Sequence, residues 1–174
     1  MIFRRLRRAP RVPCEPGTPV IRAVRRGDLK AMQAITAAAF DGVSTEQNVE
    51  RQFGRLAGTT WQDRRAAYVA RDVKYWPHSA FVAELDGELV GYVTTATDRH
   101  ARTGHIRNLA VDPAHQSKGI GRSLIHHALS FFRAAGMRYA RIEALEQNER
   151  CTRLYRGLGF AEVGRQVLYF RKLD

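Results

Sequence analysis

The sequence predicts a single α/β domain in which helices flank a central mixed β-sheet. With 174 residues, the chain is long enough for one domain with a core of its own. Two patterns predict the mixed sheet. A β-hairpin centred on Asp86-Gly87 supplies antiparallel strands. The strand, helix and strand from 105 to 145 form a βαβ unit, whose two strands should run parallel.

The domain is expected to begin near residue 20. Residues 9–19 hold four prolines and one glycine and follow an arginine-rich start, so residues 1–19 are predicted to form a basic, Pro-rich and disordered arm. Residues 20–174 are predicted to form the single domain. The first expected strand is Val20 to Val24, an apolar run directly after the prolines.

Three helices are expected before the hairpin. Asp28 should cap the first, in which apolar residues recur at helical spacing. Ser44, with Gln47 three residues later, makes a capping box for the second. The third is expected from 61 to 73, because Pro77 then breaks the chain.

Strands and helices alternate in the second half of the sequence. The expected elements are hairpin strands over 80–85 and 88–97, a strand over 104–111, a helix over 119–135, a strand over 139–145, a short helix between Asn148 and Gly159, and a final strand from Ala161 towards Leu173. Gly136 and Gly159 should end the two helices, because glycine adopts the left-handed conformation that terminates a helix.

The formal net charge of +12 is concentrated at the N-terminus. Residues 1–26 carry +7 of it, because eight arginines there face one acid, Glu15, and the remaining residues carry +5. A mildly basic body argues against a nucleic-acid partner for the folded domain. Whether the arm itself binds nucleic acid stays open.

Cysteine usage and hydropathy predict a protein of the reducing cytoplasm. The two cysteines, Cys14 and Cys151, are too few for a disulfide framework or a cysteine-based zinc site, and no metal is expected. No apolar stretch approaches the ~20 residues that a membrane-spanning helix needs, so no membrane partner is expected.

Glycines open a helix directly after a strand within residues 109–122. The unpaired N–H groups of such a helix start converge on one spot, where the helix dipole adds positive charge. Gly119 and Gly121 would allow a ligand to approach the backbone, and Lys118 and Arg122 add charge suited to a pyrophosphate. On geometry alone, an anion site and an ordinary helix begun by glycine remain equal alternatives.

The same segment resembles a known family. It reads Gln116-Ser117-Lys118-Gly119-Ile120-Gly121, which is similar to the Q/R-x-x-G-x-G/A signature of the GNAT superfamily of acetyl-CoA-dependent N-acetyltransferases. The preceding strand, Asn108-Leu109-Ala110-Val111-Asp112-Pro113, resembles that of the family, and Glu143, Asn148, Tyr155 and Gly159-Phe160 resemble its next motif in order and spacing. The resemblance covers about residues 20–174. It departs at the C-terminus, where a short segment stands in place of the family's two last strands.

The resemblance implies a GNAT-like acyltransferase fold whose parallel strands, 105–111 and 139–145, splay around a cleft. It implies acetyl-CoA as co-substrate and direct transfer of the acetyl group to a primary amine in a ternary complex. The implied cofactor contacts are the backbone of Leu109, Ala110 and Val111 at the pantetheine arm, the amides of Gln116, Ser117, Lys118, Gly119, Ile120, Gly121 and Arg122 at the pyrophosphate, and Asn148. Family members are often dimers, which makes a homodimer a candidate assembly.

Acetyl transfer to an amine needs a base for the ammonium, a donor to the thioester oxygen and an acid for the departing thiolate. By resemblance, Tyr155 is the acid and the amide of Val111 is the donor, although a packed aromatic also explains Tyr155. Glu143 is the base candidate, with an ion-paired structural carboxylate as an equal alternative. His105 and a water chain are further base candidates. Cys151 is expected to be a packed small residue and not a nucleophile.

Two classes of function are compatible with the sequence. The first is an amine acetyltransferase whose acceptor, a small-molecule amine or a protein or peptide amine, contacts residues 41–79, where Trp61, Tyr75 and Trp76 are candidate pocket walls. The second is a non-catalytic acyl-CoA-binding or nucleic-acid-associated protein. The presence of both an acid and a base candidate near the glycine segment favours the enzyme.

Overall fold

The computed structural model describes residues 18–173, so Cys14 and all but the last two residues of the predicted arm lie outside the described residues. The strands are β1 Val20–Ala23, β2 Ala80–Leu85, β3 Glu88–Asp98, β4 Thr103–Val111 and β5 Tyr139–Ile142. The α-helices are α1 Leu29–Ala39, α2 Thr45–Phe53, α3 Trp61–Tyr75, α4 Ile120–Ala134 and α5 Glu149–Arg156. None of these five helices is long and apolar enough to cross a membrane.

The strands form one mixed sheet in the order β1-β2-β3-β4-β5. The first three pairings are antiparallel, and β4 and β5 pair in parallel across α4, as the βαβ pattern predicted. The turn between β2 and β3 has φ of 51° at Asp86 and 85° at Gly87. Both angles are positive, as a type I′ turn requires. The prediction of a mixed sheet flanked by helices is therefore confirmed.

Helices cover both sides of the sheet, and each side has its own apolar cluster. The cluster on the side of α4, here called the α4 face, contains Phe81, Ala83, Val90, Val93, Ile106, Ile120, Leu124, Ile125, Ala128 and Phe132. The cluster on the side of α1 and α3, here called the α3 face, contains Met32, Ile35, Val69, Val82, Tyr92 and Ala110. Leu124 and Ile125 are fully buried, and burial of each such side chain stabilises the fold by about 1.5–3 kcal/mol.

The helix starts follow the capping chemistry of their sequences in part. The Ser44 hydroxyl accepts from the N–H of Gln47 at 3.4 Å, but the Gln47 side chain turns to Asp41, so the predicted capping box is half formed. Thr60 and Asp63 form a complete box at the start of α3, with hydrogen bonds of 3.1 and 3.0 Å. Both devices satisfy N–H groups that a helix leaves unpaired.

Asp28 stands at the start of α1, as predicted, but its side chain does not cap that helix. Its carboxylate instead accepts from the N–H of Arg25 at 2.6 Å and from the guanidinium of Arg22 at 2.7 and 3.0 Å. The reason is the short 3₁₀ turn between β1 and α1, Arg26–Asp28, which has its own N–H groups to satisfy. Asp28 therefore ties β1 to this turn.

A β-bulge interrupts β4 at Arg107. Asn108 pairs with Thr94 of β3, but Ile106 pairs with the very next β3 residue, Thr95, so Arg107 is an extra residue in β4. Such a bulge shifts the alternation of side chains between the two faces by one residue. Even-numbered side chains therefore lie on one face of the sheet before the bulge and on the other face after it.

The bulge brings polar side chains to the same face. Ile106, before the bulge, packs in the α4-face cluster, whereas Ala110, an even number of residues later, packs in the α3-face cluster. His105 and Asn108 therefore both lie on the α3 face, together with Arg107. Unbroken alternation along the strand would have separated His105 from Asn108.

β5 is shorter than predicted, and it separates from β4. The parallel ladder ends at the pair Ile106–Ile142, and β4 continues alone on this side to Val111. The pairing stops where the bulge disturbs the β4 backbone. Glu143 consequently follows the strand instead of lying within it, and a gap opens between β4 and the chain after β5.

The final strand predicted from Ala161 towards Leu173 is wrong, because this segment has no regular secondary structure. Its contacts are made by side chains: Arg165 pairs with Glu146 and Glu162, and the Phe170 ring lies 5.2 Å from that of Phe53. Strand preference depends on an available partner edge. The segment makes side-chain contacts without joining the sheet.

Candidate functional site

The glycine segment, residues 116–121, turns the chain from β4 into α4, as predicted. Two of its residues are left-handed, Ser117 with φ of 65° and Gly119 with φ of 81°. The N–H of Ser123 bonds to the carbonyl of Gly119 at 3.0 Å, so the N–H groups of 120–122 precede the intrahelical ladder. They are available to an anion that lies beyond the helix start.

Two side chains hold the glycine segment in place. Gln116 donates from Nε2 to the carbonyl oxygen of Val111, the last residue of β4, at 3.0 Å. Arg150, near the start of α5, donates to Oε1 of Gln116 and, at 3.0 Å, to Oγ of Ser117. Arg150 thereby links α5 to the segment. This arginine was not predicted from the sequence, because a surface residue in a charged helix gives no periodic signal.

The two glycines of the segment have different requirements. Gly119 needs its positive φ, which an L side chain rarely adopts. Gly121 is not in that conformation, and an added Cβ would meet Leu154 and Val111 at ordinary distances of 3.6 and 3.7 Å. The fold therefore does not require glycine at 121, in keeping with the glycine or alanine that the family signature allows there.

Asn148 begins α5, as predicted, and its Oδ1 accepts from the N–H of Cys151 at 3.2 Å. This hydrogen bond accounts for the residue as an N-cap. A contact between Asn148 and acetyl-CoA stays a prediction.

A cavity of about 300 Å³ opens on the α3 face, where β4 leaves β5. Its lining residues come from α2, α3, β4 and the chain after β5, and they are Glu46, Arg65, Tyr68, Arg71, His105, Arg107, Asn108 and Glu143. The cavity thus unites two base candidates, His105 of β4 and Glu143 just after β5. No group of three or more metal-ligating side chains lies together in the described part of the chain.

The aromatic residues expected to wall an acceptor pocket lie outside the lining of this cavity. Trp61 is 7% exposed, and Tyr75 and Trp76 lie at the end of α3 with exposed rings. Tyr68, one α3 turn from the cavity's Arg65 and Arg71, lines it instead. Tyr68 lies with Arg65 and Arg71 because residues three and four apart share a helix face, and contacts of Trp61, Tyr75 and Trp76 with an acceptor stay a prediction.

Glu143 and His105 face each other in the cavity. Nε2 of His105 lies 3.9 Å from Oε1 of Glu143, and Arg141 donates to the same oxygen at 2.9 Å. Burial lowers the pKa of His105, and the positive charge of Arg141 lowers it further against the opposing effect of Glu143. The imidazole is therefore neutral near pH 7 and able to accept a proton.

Tyr155 lies on the other side of the sheet from this pair. It packs against the α4-face cluster, and its ring centroid is 6.2 Å from that of Phe160. Burial raises the pKa of Tyr155 well above its ordinary value, and the neighbouring Cys151 raises it further. The hydroxyl therefore keeps its proton near pH 7. The acid and base candidates flank the parted strands from opposite faces.

A buried carboxylate beneath the cavity escaped the sequence analysis. Asp72 of α3 is 1% exposed and accepts from Oγ1 of Thr94 at 2.8 Å, from Nδ2 of Asn108 at 2.8 Å and from Nε of Arg107 at 3.0 Å. The Arg107 guanidinium also lies 5.0 Å from the ring centroid of Trp76. Asp72 thereby connects α3 to β3 and to the bulge of β4. A carboxylate on a helix is usually exposed, so Asp72 was not predicted to be buried.

Comparison with known proteins gives consistent matches. A family model described as the acetyltransferase (GNAT) family matches residues 44–160. The N-alpha-acetyltransferase RimI of Mycobacterium tuberculosis is 38% identical over 100 residues, which cover 55% of this chain and 60% of that protein. A mycothiol acetyltransferase of Streptomyces avermitilis is 30% identical over 158 residues, or 90% of this chain and 47% of that protein. The chain thus spans about half the length of these curated relatives.

The fold is also similar to solved structures. PaiA N-acetyltransferase from Thermoplasma acidophilum, in complex with coenzyme A, superposes with a TM-score of 0.67 at 18% identity. The match covers 83% of this chain and 90% of that one. At this level of identity the likeness concerns the arrangement of helices and strands.

Proposed function

Because the chain belongs to the GNAT acetyltransferase family, we propose that it transfers the acetyl group of acetyl-CoA to a primary amine by direct attack in a ternary complex. One observation carries the proposal: β4 and β5 part beyond Ile106–Ile142, with the glycine segment at one end of the gap and Glu143 and His105 beside it. Residues 20–174 would form the catalytic domain.

The glycine segment fits the pyrophosphate of acetyl-CoA. Gly119 keeps the turn from which the N–H groups of 120–122 would reach the phosphates. Lys118, Arg122 and Arg150 would add positive charge around the phosphates. The amides of Gln116 and Ser117 belong to the same proposed site.

The unpaired edge of β4 fits the extended pantetheine arm. Leu109, Ala110 and Val111 lie beyond the end of the β5 ladder, so their backbone on that side has no strand partner among the described residues. Gln116 already donates to the Val111 carbonyl, which has a second lone pair for another donor. We assign the Val111 amide to the thioester oxygen, on which negative charge develops.

Glu143 and His105 would remove the proton from the acceptor ammonium. An alkyl-ammonium with a pKa near 10.4 is mostly charged at pH 7 and cannot attack. The pair lines the cavity on the α3 face, through which the amine would enter. The single variants Glu143→Gln and His105→Asn separate the two roles, because loss of the proton acceptor costs roughly 10²-fold or more in rate.

Tyr155 would protonate the departing thiolate from the α4 face. The hydroxyl carries its proton near pH 7 and would donate it to the sulfur as the C–S bond breaks. Acetyl-CoA supplies the thioester between the two faces. The amine and the acid would then act on the acyl carbon and the sulfur from opposite sides of the gap.

The test is release of CoA from acetyl-CoA with a panel of small amines and N-terminal peptides. We expect turnover with at least one amine and a fall of roughly 10²-fold in kcat in Tyr155→Phe. Tyr139→Phe, at an exposed position of β5, is the matched control and should keep full activity. Acetyl-CoA binding without turnover on any amine would contradict the proposal and favour a binding protein.

A further inference from the structure

Resting on the proposed function, we propose that the acceptor is an amine that also carries an anionic group, a carboxylate or a phosphate. The amine would lie at Glu143 and His105, and the anion would bind Arg71 and Arg65 on the opposite wall of the same cavity. The charges of the lining residues carry this inference.

The charged side chains that line the cavity differ in how closely they are paired with groups of opposite charge. Three arginines, Arg65, Arg71 and Arg107, face two glutamates, Glu46 and Glu143. Arg107 is held by Asp72 through its Nε at 3.0 and 3.1 Å. The buried Asp72 carboxylate therefore offsets the charge of Arg107.

Arg65 is only loosely paired. Its Nη1 lies 3.7 Å from Oε1 of Glu46, and its guanidinium lies 4.1 Å from the ring centroid of Phe40. Its Nε is buried and has no hydrogen-bond partner among residues 18–173. A buried donor without an acceptor costs free energy, so an incoming anion would be favoured here.

Arg71 has no carboxylate partner within the described residues. Its guanidinium lies 5.2 Å from the ring centroid of Tyr68, which is 39% exposed. A guanidinium presented on an aromatic ring is well suited to bidentate recognition of carboxylate or phosphate. Arg71 and Arg65 lie on the α3 wall, and Glu143 lies on the wall formed after β5.

The two walls therefore carry opposite charges, with Glu143 also accepting a hydrogen bond from Arg141. Glu143 and His105 favour an ammonium, and Arg71 and Arg65 favour an anion. With about 300 Å³, the cavity is at the lower end of ligand sites and suits one residue-sized group. Free amino acids, aminophosphates and peptides with an acidic residue next to the N-terminus share the required chemistry.

Matched acceptor pairs test the inference. Each pair consists of an anionic amine and its neutral amide, either as a free amino acid or as a peptide with Asp or Asn at the second position, together with an aminophosphate and its hydroxyl analogue. We expect kcat/KM to be about tenfold or more higher for the anionic member of at least one pair, as a hydrogen-bonded charge implies. The pairs that respond identify the source of the anion.

The variant Arg71→Gln should reduce this preference at least severalfold, and Arg71→Lys should retain part of it. Arg138→Gln changes an exposed arginine outside the cavity lining and should keep the native preference. Equal kcat/KM within every pair would overturn the inference while leaving the proposed function intact.

Calorimetric binding of the same pairs provides a readout that needs no turnover. Tighter binding of the anionic member, weakened in Arg71→Gln, supports the inference even if the proposed reaction fails. Binding that does not differ within the pairs, or is absent for all of them, refutes it.

Discussion

Each proposed reacting side chain owes its protonation state to its surroundings. His105 is half-buried beside a cation, which favours the neutral imidazole, and Tyr155 is packed in the apolar cluster, which favours the neutral phenol. Near pH 7 both groups are in the state from which their proposed roles begin, an unprotonated base and a protonated acid. Glu143 gains its position from Arg141.

The protonation of His105 can be measured directly. We expect its NMR titration midpoint to lie below the ordinary histidine value of about 6.5 and to rise in Arg141→Gln, because that variant removes a positive neighbour. A folded pKa below the unfolded one means that this group's contribution to stability is present above about pH 6.5 and is lost as the pH falls through the folded pKa. A midpoint at or above 6.5 would show that the imidazole is not desolvated as described.

Some single residues were predictable from the sequence, and others were not. The Asp86-Gly87 turn and the glycine segment were predictable, because their backbone angles permit few residue types. Asp72 and Arg150 were not, because their partners, Asn108 and Gln116, are 36 and 34 residues away in the chain. Such long-range polar contacts leave no local pattern.

At the scale of elements, the bulge in β4 determines the site. It turns His105, Arg107 and Asn108 to one face and ends the ladder with β5. Periodicity predicted both strands and their parallel direction, but an extra residue in a strand is invisible to it. The gap between the strands was expected by resemblance alone.

The buried carboxylate beneath the bulge should stabilise the fold. Asp72→Asn removes the charge that Arg107, Thr94 and Asn108 bond to, and we expect a loss of about 1–3 kcal/mol in the free energy of unfolding. Guanidinium denaturation measures it. Glu88→Gln, on the exposed start of β3, is the control, and an equal small effect in both variants would refute the structural role of Asp72.

The start of α4 offers a second test at this scale. Gly119→Ala places a side chain at φ of 81°, which costs about 1–2 kcal/mol or displaces the turn. We expect the affinity for CoA, measured by calorimetry, to fall about tenfold. Gly27→Ala has open space and no positive φ, so it should bind CoA as the native chain does. Unchanged affinity in Gly119→Ala would place the phosphates elsewhere.

At the scale of the whole molecule, the two faces of the sheet give access to the gap between β4 and the chain after β5 from opposite sides. The glycine segment and Tyr155 belong with α4 and α5, and the cavity belongs with α2 and α3. The architecture was predictable from the sequence, because both the antiparallel hairpin and the parallel βαβ unit have recognisable sequence patterns. The irregular conformation of residues 161–173 was not predictable, since strand formation depends on an available partner edge.

The predicted N-terminal arm is expected to contribute little to the stability of the domain. β1 begins at Val20, and its ladder with β2 starts there, so we expect removal of residues 1–17 to shift the thermal unfolding midpoint by less than about 2 °C. Scanning calorimetry of the full and shortened chains checks this. A drop of many degrees would mean that the domain extends into the arm.

The central claim is that acetyl transfer takes place in the gap between β4 and β5, with the proton removed at Glu143 and His105. The most direct measurement is kcat/KM for the best amine in the double variant Glu143→Gln/His105→Asn, beside Glu149→Gln as an exposed control. We predict a loss of roughly 10²-fold or more in the double variant, partly recovered at high pH, where the amine loses its proton unaided. Equal kcat/KM in the double variant and the control would contradict the claim.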